Sequence, residues 1–195
     1  MMYMPAVLAL VGLVYMLIKR SWVMKQDAGD GKMKEISEHI YEGALAFLRA
    51  EYRLLSIFVL IVSVLLFIVS EFVDTTPWMI VITFIFGAIF SAFAGNIGMK
   101  IATRTNVRTT QAAKTSLPKA LKISFGGGTV MGLGVASLAV LGLTGFFILL
   151  HYYFTGDDKG MLKTLEALAG FSLGAESIAL FARVGGGIYT KAADV

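Results

Sequence analysis

Apolar residues along the chain are gathered into five long stretches that shorter polar segments separate. Their approximate limits are Tyr3–Ile18, Leu54–Val73, Trp78–Met99, Ile123–Phe154 and a last stretch that begins near Leu165. A helix needs about 20 mostly apolar residues to cross the hydrocarbon core of a bilayer, and the stretches are near or above that length. The pattern therefore predicts an all-α integral membrane protein with five transmembrane helices.

Two polar segments between these stretches hold most of the basic residues. Of the 17 Lys and Arg residues, seven lie within Lys19–Arg53 and six within Lys100–Lys122. Positive charge of this kind marks the cytoplasmic loops of membrane proteins. We therefore predict a cytoplasmic amphipathic loop at about 21–53, in which residues 32–53 have helical periodicity, and a basic cytoplasmic loop at about 100–122. The N-terminus is then outside, and the fifth helix ends in the cytoplasm.

The composition supports a membrane protein and excludes several kinds of site. Only 15% of the residues are charged and 57% are hydrophobic, whereas soluble domains have about 25% charged residues. There is no cysteine, which excludes disulfides, thiolate metal sites and a cysteine nucleophile. The two histidines, His39 and His151, are interpreted as structural, so a zinc site is not expected. Basic cytoplasmic loops explain the net charge of +4, and no nucleic-acid partner is predicted.

The last stretch differs from the others because it carries ionisable residues within and just beyond its apolar part. On an α-helix with about 100° per residue, Glu176, Arg183, Lys191 and Asp194 fall within about 80° of one another and span about 27 Å along the axis. Charges in lipid are costly and are found where they face a bundle interior, a water-filled path or one another. We interpret the stripe as an ion path that ends at an anion-binding mouth. The alternative is a Glu176–Arg183 pair that only holds neighbouring helices together.

Two glycine triplets invite comparison with phosphate-binding loops but lack the required context. Neither Gly126–Gly128 nor Gly185–Gly187 follows a predicted strand, and the spacing to Lys191 does not match the loop motif. Small residues at four-residue spacing predict close helix packing instead. They are Gly87, Ser91 and Gly95 in the third stretch, and Gly128 and Gly132 in the fourth.

Four sequence blocks resemble the membrane-integral, ion-pumping inorganic pyrophosphatases. The segment F-A-R-V-G-G-G-I-Y-T-K-A-A-D-V at Phe181–Val195 resembles the signature that opens the substrate site of that family. The segments Met33–Tyr52, Gly95–Ala113 and Gly126–Val135 are similar to its first cytoplasmic loop, its second cytoplasmic loop and its fourth helix. The resemblance implies a homodimer of roughly sixteen-helix bundles, of which residues 1–195 are the N-terminal part. It also implies hydrolysis of pyrophosphate with Mg²⁺ as cofactor, coupled to outward pumping of H⁺ or Na⁺.

The resemblance assigns roles to four residues of the last stretch. Arg183 and Lys191 match substrate-binding residues, and Arg183 also belongs to the ionic network just below the substrate. Asp194 matches a residue that holds the Mg²⁺–pyrophosphate complex, and phosphoanhydride hydrolysis needs such neutralisation of charge. Glu176 stands where a small residue is common in the family. Members that carry a glutamate on the fifth helix, as this chain does, resemble proton pumps, so we interpret Glu176 as the gate carboxylate for H⁺. The alternative is a packing glutamate, with the usual gate further along the chain.

The chain stops at Val195, in the middle of that signature. We therefore expect an N-terminal fragment or a truncated gene product that is inactive alone, since the remaining site residues would lie beyond it. A requirement for K⁺ as a second cofactor stays open for the same reason. No targeting peptide is recognised, so we expect the cell inner membrane. Two other functions stay open: an anion-coupled secondary transporter or channel without hydrolytic activity, and a structural five-helix subunit.

Overall fold

The structure, a computed structural model, describes residues 2–73 and 76–193, excluding the side chains of residues 188–190, 192 and 193. Five α-helices make up almost all of the described chain. They are α1 (Met4–Met24), α2 (Gly31–Phe72), α3 (Met79–Ala113), α4 (Leu117–Tyr153) and α5 (Gly160–Ala193). Each is long and apolar enough to cross a membrane, and the described residues contain no strand. The predicted all-α membrane architecture with five spanning helices is confirmed.

The second helix is much longer than a membrane span. The predicted amphipathic segment and the second apolar stretch are joined without a break, and α2 has 42 residues. At 1.5 Å per residue α2 is about 63 Å long, roughly twice the hydrocarbon thickness of a bilayer. Its N-terminus is capped by Asp30, whose side chain accepts a hydrogen bond from the Met33 amide at 2.9 Å. The polar first half of α2 therefore extends beyond the apolar layer at one end of the molecule.

The basic segment at about 100–122, predicted as a loop, is almost entirely helical. Helix α3 continues to Ala113 and α4 starts at Leu117, so only residues 114–116 connect them. Ser116 caps α4, and Pro118 occupies the first turn, where its missing N–H costs no hydrogen bond. Lys, Arg, Gln and Ala have high helix propensity, so a polar composition alone does not indicate irregular structure. The segment is therefore a helical hairpin, not an irregular loop. Its location on the cytoplasmic side of the membrane stays a prediction.

Helix α3 is at the centre of the packing. It contacts α5 and α4 extensively and α2 along part of its length, while α1 packs mainly on α4. Glycines let α3 and α5 approach closely. A Cβ on Gly174 would overlap the carbonyl oxygen of Phe84, and a Cβ on Gly87 would overlap the carbonyl oxygen of Phe171. Helix α5 is thus held against α3 by close contact between the two backbones.

The predicted packing role of Gly87 is confirmed, but the predicted face on α4 differs. Apart from the adjacent residues and backbone of α4 itself, no atom of the described chain lies within 4 Å of a Cβ placed on Gly128 or Gly132. Several other α4 glycines do meet neighbouring helices. A Cβ on Gly126 would lie 2.9 Å from the Trp22 ring, one on Gly127 would lie 2.6 Å from the Thr105 hydroxyl, and one on Gly142 would overlap the Phe171 ring of α5. Glycine spacing alone did not identify the contact face, because that face depends on where α1, α3 and α5 pack.

The turn between α4 and α5 contains a carboxylate whose charged form is stabilised. Asp157 accepts hydrogen bonds from Lys163 Nζ at 2.6 Å and from the Lys159 amide at 2.9 Å. These bonds lower the pKa of Asp157 from its ordinary value of 3.8, chiefly through Lys163. Because the folded pKa is below the unfolded one, this stabilisation is present above about pH 3.8 and is lost as the pH falls through the folded pKa.

We expect Lys163→Met to raise the pKa of Asp157 toward 3.8, because the substitution removes the hydrogen bond that contributes most to the shift. A carboxyl-carbon NMR titration of ¹³C-aspartate-labelled protein measures this value. The control is Lys159→Met, which keeps the donating amide and is expected to change the pKa less. An unchanged titration midpoint in Lys163→Met would contradict the assignment.

Candidate functional site

The charged residues predicted to form the site lie on α5. Glu176, Arg183 and Lys191 belong to one unbroken helix, which continues through the glycine triplet Gly185–Gly187. Helical geometry places Glu176 and Lys191 about 22 Å apart along the axis, with Arg183 between them on the same side of the helix. Asp194, the predicted metal-binding residue, lies outside the described residues. Three of the four predicted residues therefore share one helix.

The residues of this stripe are exposed, and Arg183 also borders a cavity on the side toward α2. Glu176, Arg183 and Lys191 are exposed, whereas the opposite face of α5, with Gly174 and Ile178, is buried. Neither Glu176 nor Arg183 forms an ion pair with another described residue. The alternative in which these two charges only pair with each other therefore has no support in the described part of the chain. Charges on a membrane-spanning helix need a polar surface or water opposite them.

A cavity of about 430 Å³ lies beside Arg183, where α2, α3, α4 and α5 meet. Its lining is mostly apolar, and Glu51 and Arg183 are the two charged residues among its described walls. Tyr52 and Ser91 add hydroxyl groups. The Tyr52 hydroxyl donates to the carbonyl of Ala92 at 2.6 Å, which ties α2 to α3 at this level. The middle of α5 thus has a partly polar compartment on the side toward α2.

Both carboxylate oxygens of Glu51 are buried, which the pattern of charged residues along the sequence does not predict. Neither of its buried oxygens has a hydrogen-bond partner among the described residues. It lies against α5 at Gly185, where a Cβ would come within 2.8 Å of Oε1 and within 3.1 Å of the Phe47 ring. A signal was present in the sequence, since position 51 is four residues from both Phe47 and Leu55 and so belongs to the apolar stripe of α2. Buried polar groups without partners are rare and need an explanation.

The basic residues of α3 form a network that ties helices together at one end of the molecule. Arg104 donates two hydrogen bonds to Glu38, at 2.5 and 3.0 Å, and Gln111 donates to Asp27 at 3.0 Å. The Gly29 amide and then Gln111 lower the pKa of Asp27. We call this end, where α1, α3 and α5 finish and α2 and α4 start, the basic end. Part of its positive charge is neutralised within the chain, as expected of a structural network.

Carboxylates that could hold a metal ion are not clustered in residues 2–73 and 76–193. No group of three or more His, Asp or Glu side chains in these ranges could form a metal site. Asp194 carries the oxygen ligand that Mg²⁺ prefers, although its position is not among those described. Magnesium binding by this chain therefore remains a proposal that rests on the chemistry of Asp194.

Comparison with known proteins identifies a family. The family model described as inorganic H⁺ pyrophosphatase matches residues 10–195. A Clostridium tetani protein, provisionally named a K⁺-stimulated pyrophosphate-energized sodium pump, is 49% identical over 185 residues that cover 95% of this chain and 25% of the relative. Two proteins named as K⁺-insensitive pyrophosphate-energized proton pumps are also similar. The Methanosarcina mazei protein is 44% identical, covering 95% of this chain and 25% of its own length, and the second Moorella thermoacetica pump is 43% identical, covering 97% and 26%.

The matches cover a large share of this chain but a small share of each relative. The chain spans about a quarter of the length of the curated relatives it matches, although nearly all of the chain is covered. Relatives of similar identity also bear names with different transported ions and different responses to K⁺. Similarity to these relatives therefore does not identify the transported ion. Because the family model covers most of the chain and the fold is a set of five spanning helices, the chain belongs to the inorganic H⁺ pyrophosphatase family.

Proposed function

We propose that the complete protein containing this chain hydrolyses inorganic pyrophosphate and couples the reaction to the movement of H⁺ or Na⁺ across a membrane. The observation that carries the proposal is the stripe on α5, which puts a carboxylate and two cations on one uncovered face of a spanning helix. Such charges need polar counterparts within the membrane. Further helices of a pump would supply them, and the family membership supports this reading. We expect the five helices alone to be inactive.

Lys191 and Arg183 are proposed to bind the substrate. Lys191 is exposed near the end of α5, at the basic end, where pyrophosphate can arrive from water. Its ammonium group would neutralise phosphate oxygens, whose negative charge grows on the leaving phosphate as the phosphoanhydride bond breaks. Arg183, two turns deeper, would belong to the ionic network just below the substrate. Asp194 would hold Mg²⁺, which when bound neutralises and orients the pyrophosphate.

Glu176 is proposed as the gate carboxylate. It lies about 10 Å from Arg183 along the axis and on the same side of α5. An ion that leaves the level of Arg183 away from the basic end would meet Glu176 next. A carboxylate can accept and release a single proton, so we propose H⁺ as the transported ion, with Na⁺ as the alternative. The competing role for Glu176 is packing against another helix, and in that role its replacement leaves transport intact.

The remaining parts of the proposal follow from charge and from the family. Most Lys and Arg residues lie at the basic end, which we assign to the cytoplasm, with the N-terminus outside and the protein in the cell inner membrane. A homodimer is proposed from the family alone. Potassium is a second candidate cofactor because the names of the relatives differ in their response to K⁺.

Hydrolysis by the purified complete protein tests the enzymatic part of the proposal. We expect Mg²⁺-dependent phosphate release from pyrophosphate, abolished by a chelator, with much slower release from ATP. Paired assays with and without K⁺ assign the second cofactor. Phosphate release no greater than that of a Lys191→Ala variant, from protein that unfolds cooperatively, would contradict the proposed hydrolytic activity. It would favour an anion-coupled transporter or channel.

Glu51→Gln is expected to lower pyrophosphate turnover about tenfold, because small changes in the placement of site groups have effects of this order or larger. Glu51 contacts α5 at Gly185 and is the one carboxylate among the described walls of the cavity beside Arg183. The matched control is Glu35→Gln, which removes an exposed carboxylate from the same helix. Equal turnover in both variants would show that Glu51 does not act on the site.

A further inference from the structure

A cavity of about 650 Å³ opens between α1 and α3, away from the stripe on α5. Helix α4 contributes Leu138 and the first half of α2 contributes Tyr41 to its walls, and none of the described side chains of α5 lines it. The two helices that form its sides make few direct contacts with each other, because α1 packs mainly on α4. The groove is therefore separate from the proposed substrate site.

The walls of this groove change from apolar to cationic along its length. Helices α1 and α3 both finish at the basic end, so their sequences run in the same direction along the groove. On α1 the lining runs from Leu13 and Leu17 to Arg20, and on α3 it runs from Phe93 and Ile97 to Lys100 and Arg104. Five residues of α1 line it, and the first and last of them, Leu13 and Met24, are about 16 Å apart along the helix axis. One end is thus suited to hydrocarbon and the other to negative charge.

The three cations of the groove differ in whether a carboxylate neutralises them. Arg104 is already neutralised by Glu38 through two hydrogen bonds, and its guanidinium stacks on Tyr41 at 4.0 Å from the ring centre. Arg20 and Lys100 are exposed, and neither forms an ion pair with another described residue. Arg104 therefore fixes one wall of the groove, while two positive charges at its cationic end remain uncompensated.

We propose that this groove binds one anionic phospholipid, with its phosphate headgroup between Arg20 and Lys100 and an acyl chain along Leu13, Leu17 and Phe93. The order of polarity matches a lipid that stands upright in its leaflet, with the headgroup at the level where the apolar stretches end. Basic pockets between spanning helices are known to take anionic headgroups. The inference needs only a membrane protein, so it does not depend on pyrophosphate hydrolysis.

Two other occupants fit the groove less well. A free phosphate or pyrophosphate would use the cations but would make no favourable contact with the apolar walls, which form most of the groove. An apolar helix from elsewhere in a larger protein would cover the walls but would bury Arg20 and Lys100 without partners, which is costly. A lipid satisfies both ends of the groove at once.

Native mass spectrometry of the complete protein tests the proposal. The protein is purified in detergent and mixed with equal amounts of phosphatidylglycerol and phosphatidylcholine. We expect at least tenfold more phosphatidylglycerol than phosphatidylcholine to remain bound, and Arg20→Gln/Lys100→Gln to reduce that preference at least fivefold. The matched control is Lys32→Gln/Lys34→Gln, which removes the same charge at the same end from positions that do not line the groove. The control is expected to keep the preference.

A second variant tests the apolar part of the groove without a change in charge. Leu17→Trp fills the space for the acyl chain and is expected to reduce lipid adducts at least fivefold, which also covers the case in which the double variant fails to fold. Equal binding of the two lipids, or a preference that survives both variants, would overturn the proposal. Displacement of phosphatidylglycerol by millimolar inorganic phosphate would instead identify a site for a soluble anion and would also overturn it.

Discussion

Lys191→Ala is expected to lower pyrophosphate hydrolysis by the complete protein about 100- to 1,000-fold, the usual cost of removing one group that stabilises charge in a transition state. Lys191 is an exposed cation in the last turn of α5, on the same side as Arg183. The charge that it would neutralise increases as the leaving phosphate departs, so kcat should fall more than KM rises. Steady-state phosphate release at varied Mg²⁺–pyrophosphate concentrations separates the two parameters.

The matched control for this result is Lys159→Ala. Lys159 is also an exposed lysine, but it lies in the turn between α4 and α5, at the opposite end from Lys191. Its replacement is expected to change kcat less than twofold. Wild-type kcat in Lys191→Ala would show that the end of α5 is not the substrate mouth.

Gly174→Ala is expected to be among the most damaging small substitutions in the apolar part of the chain. A Cβ at this position would overlap the backbone carbonyl of Phe84 and would lie 2.9 Å from the amide nitrogen of Ala88. Because backbone atoms cannot move aside as a flexible side chain can, α3 and α5 must separate. We expect a loss of about 3 kcal/mol in the free energy of unfolding, the upper part of the range for overpacked cores.

Gly145→Ala is the control for that prediction. It introduces the same methyl group into α4 at a position where, apart from the adjacent residues and backbone of α4 itself, no atom of the described chain lies within 4 Å of the new Cβ. Because Ala has the higher helix propensity, we expect the stability to stay equal or to rise by up to about 1 kcal/mol. Thermal unfolding of both variants in the same detergent compares them. Equal midpoints would show that the α3–α5 contact has room for a methyl group.

The number and type of helices could be predicted from the sequence because long apolar stretches have few alternatives in a membrane protein. The helix ends could not. The segments at about 21–53 and 100–122 are polar, and polarity reports contact with water without distinguishing a loop from an extended helix. Only the caps at Asp30 and Ser116 mark where α2 and α4 start, and such caps are short signals.

The arrangement of the candidate site residues could be predicted from the sequence to the extent that they lie on one helix. The spacing of Glu176, Arg183 and Lys191 places them on one side of α5 by helical geometry alone, and the unbroken helix agrees. Glu51 depends on contact between α2 and α5, which are separated in sequence by two other helices, so no local pattern gives its environment. The packing glycines Gly126 and Gly127 show the same limit, because the same triplet offers other faces until the neighbours are known.

The central claim is that the stripe on α5 carries ion movement driven by pyrophosphate, and transport by inverted membrane vesicles tests it most directly. Vesicles containing the complete protein receive Mg²⁺ and pyrophosphate while phosphate release and lumenal pH are followed together. We predict hydrolysis with acidification of the lumen, and loss of that acidification in Glu176→Ala. Sodium uptake, or acidification that persists in the variant, would agree with an ion pump but would contradict the assignment of Glu176 as the proton gate. Vesicles that hold folded protein but neither release phosphate nor move an ion would contradict the claim itself.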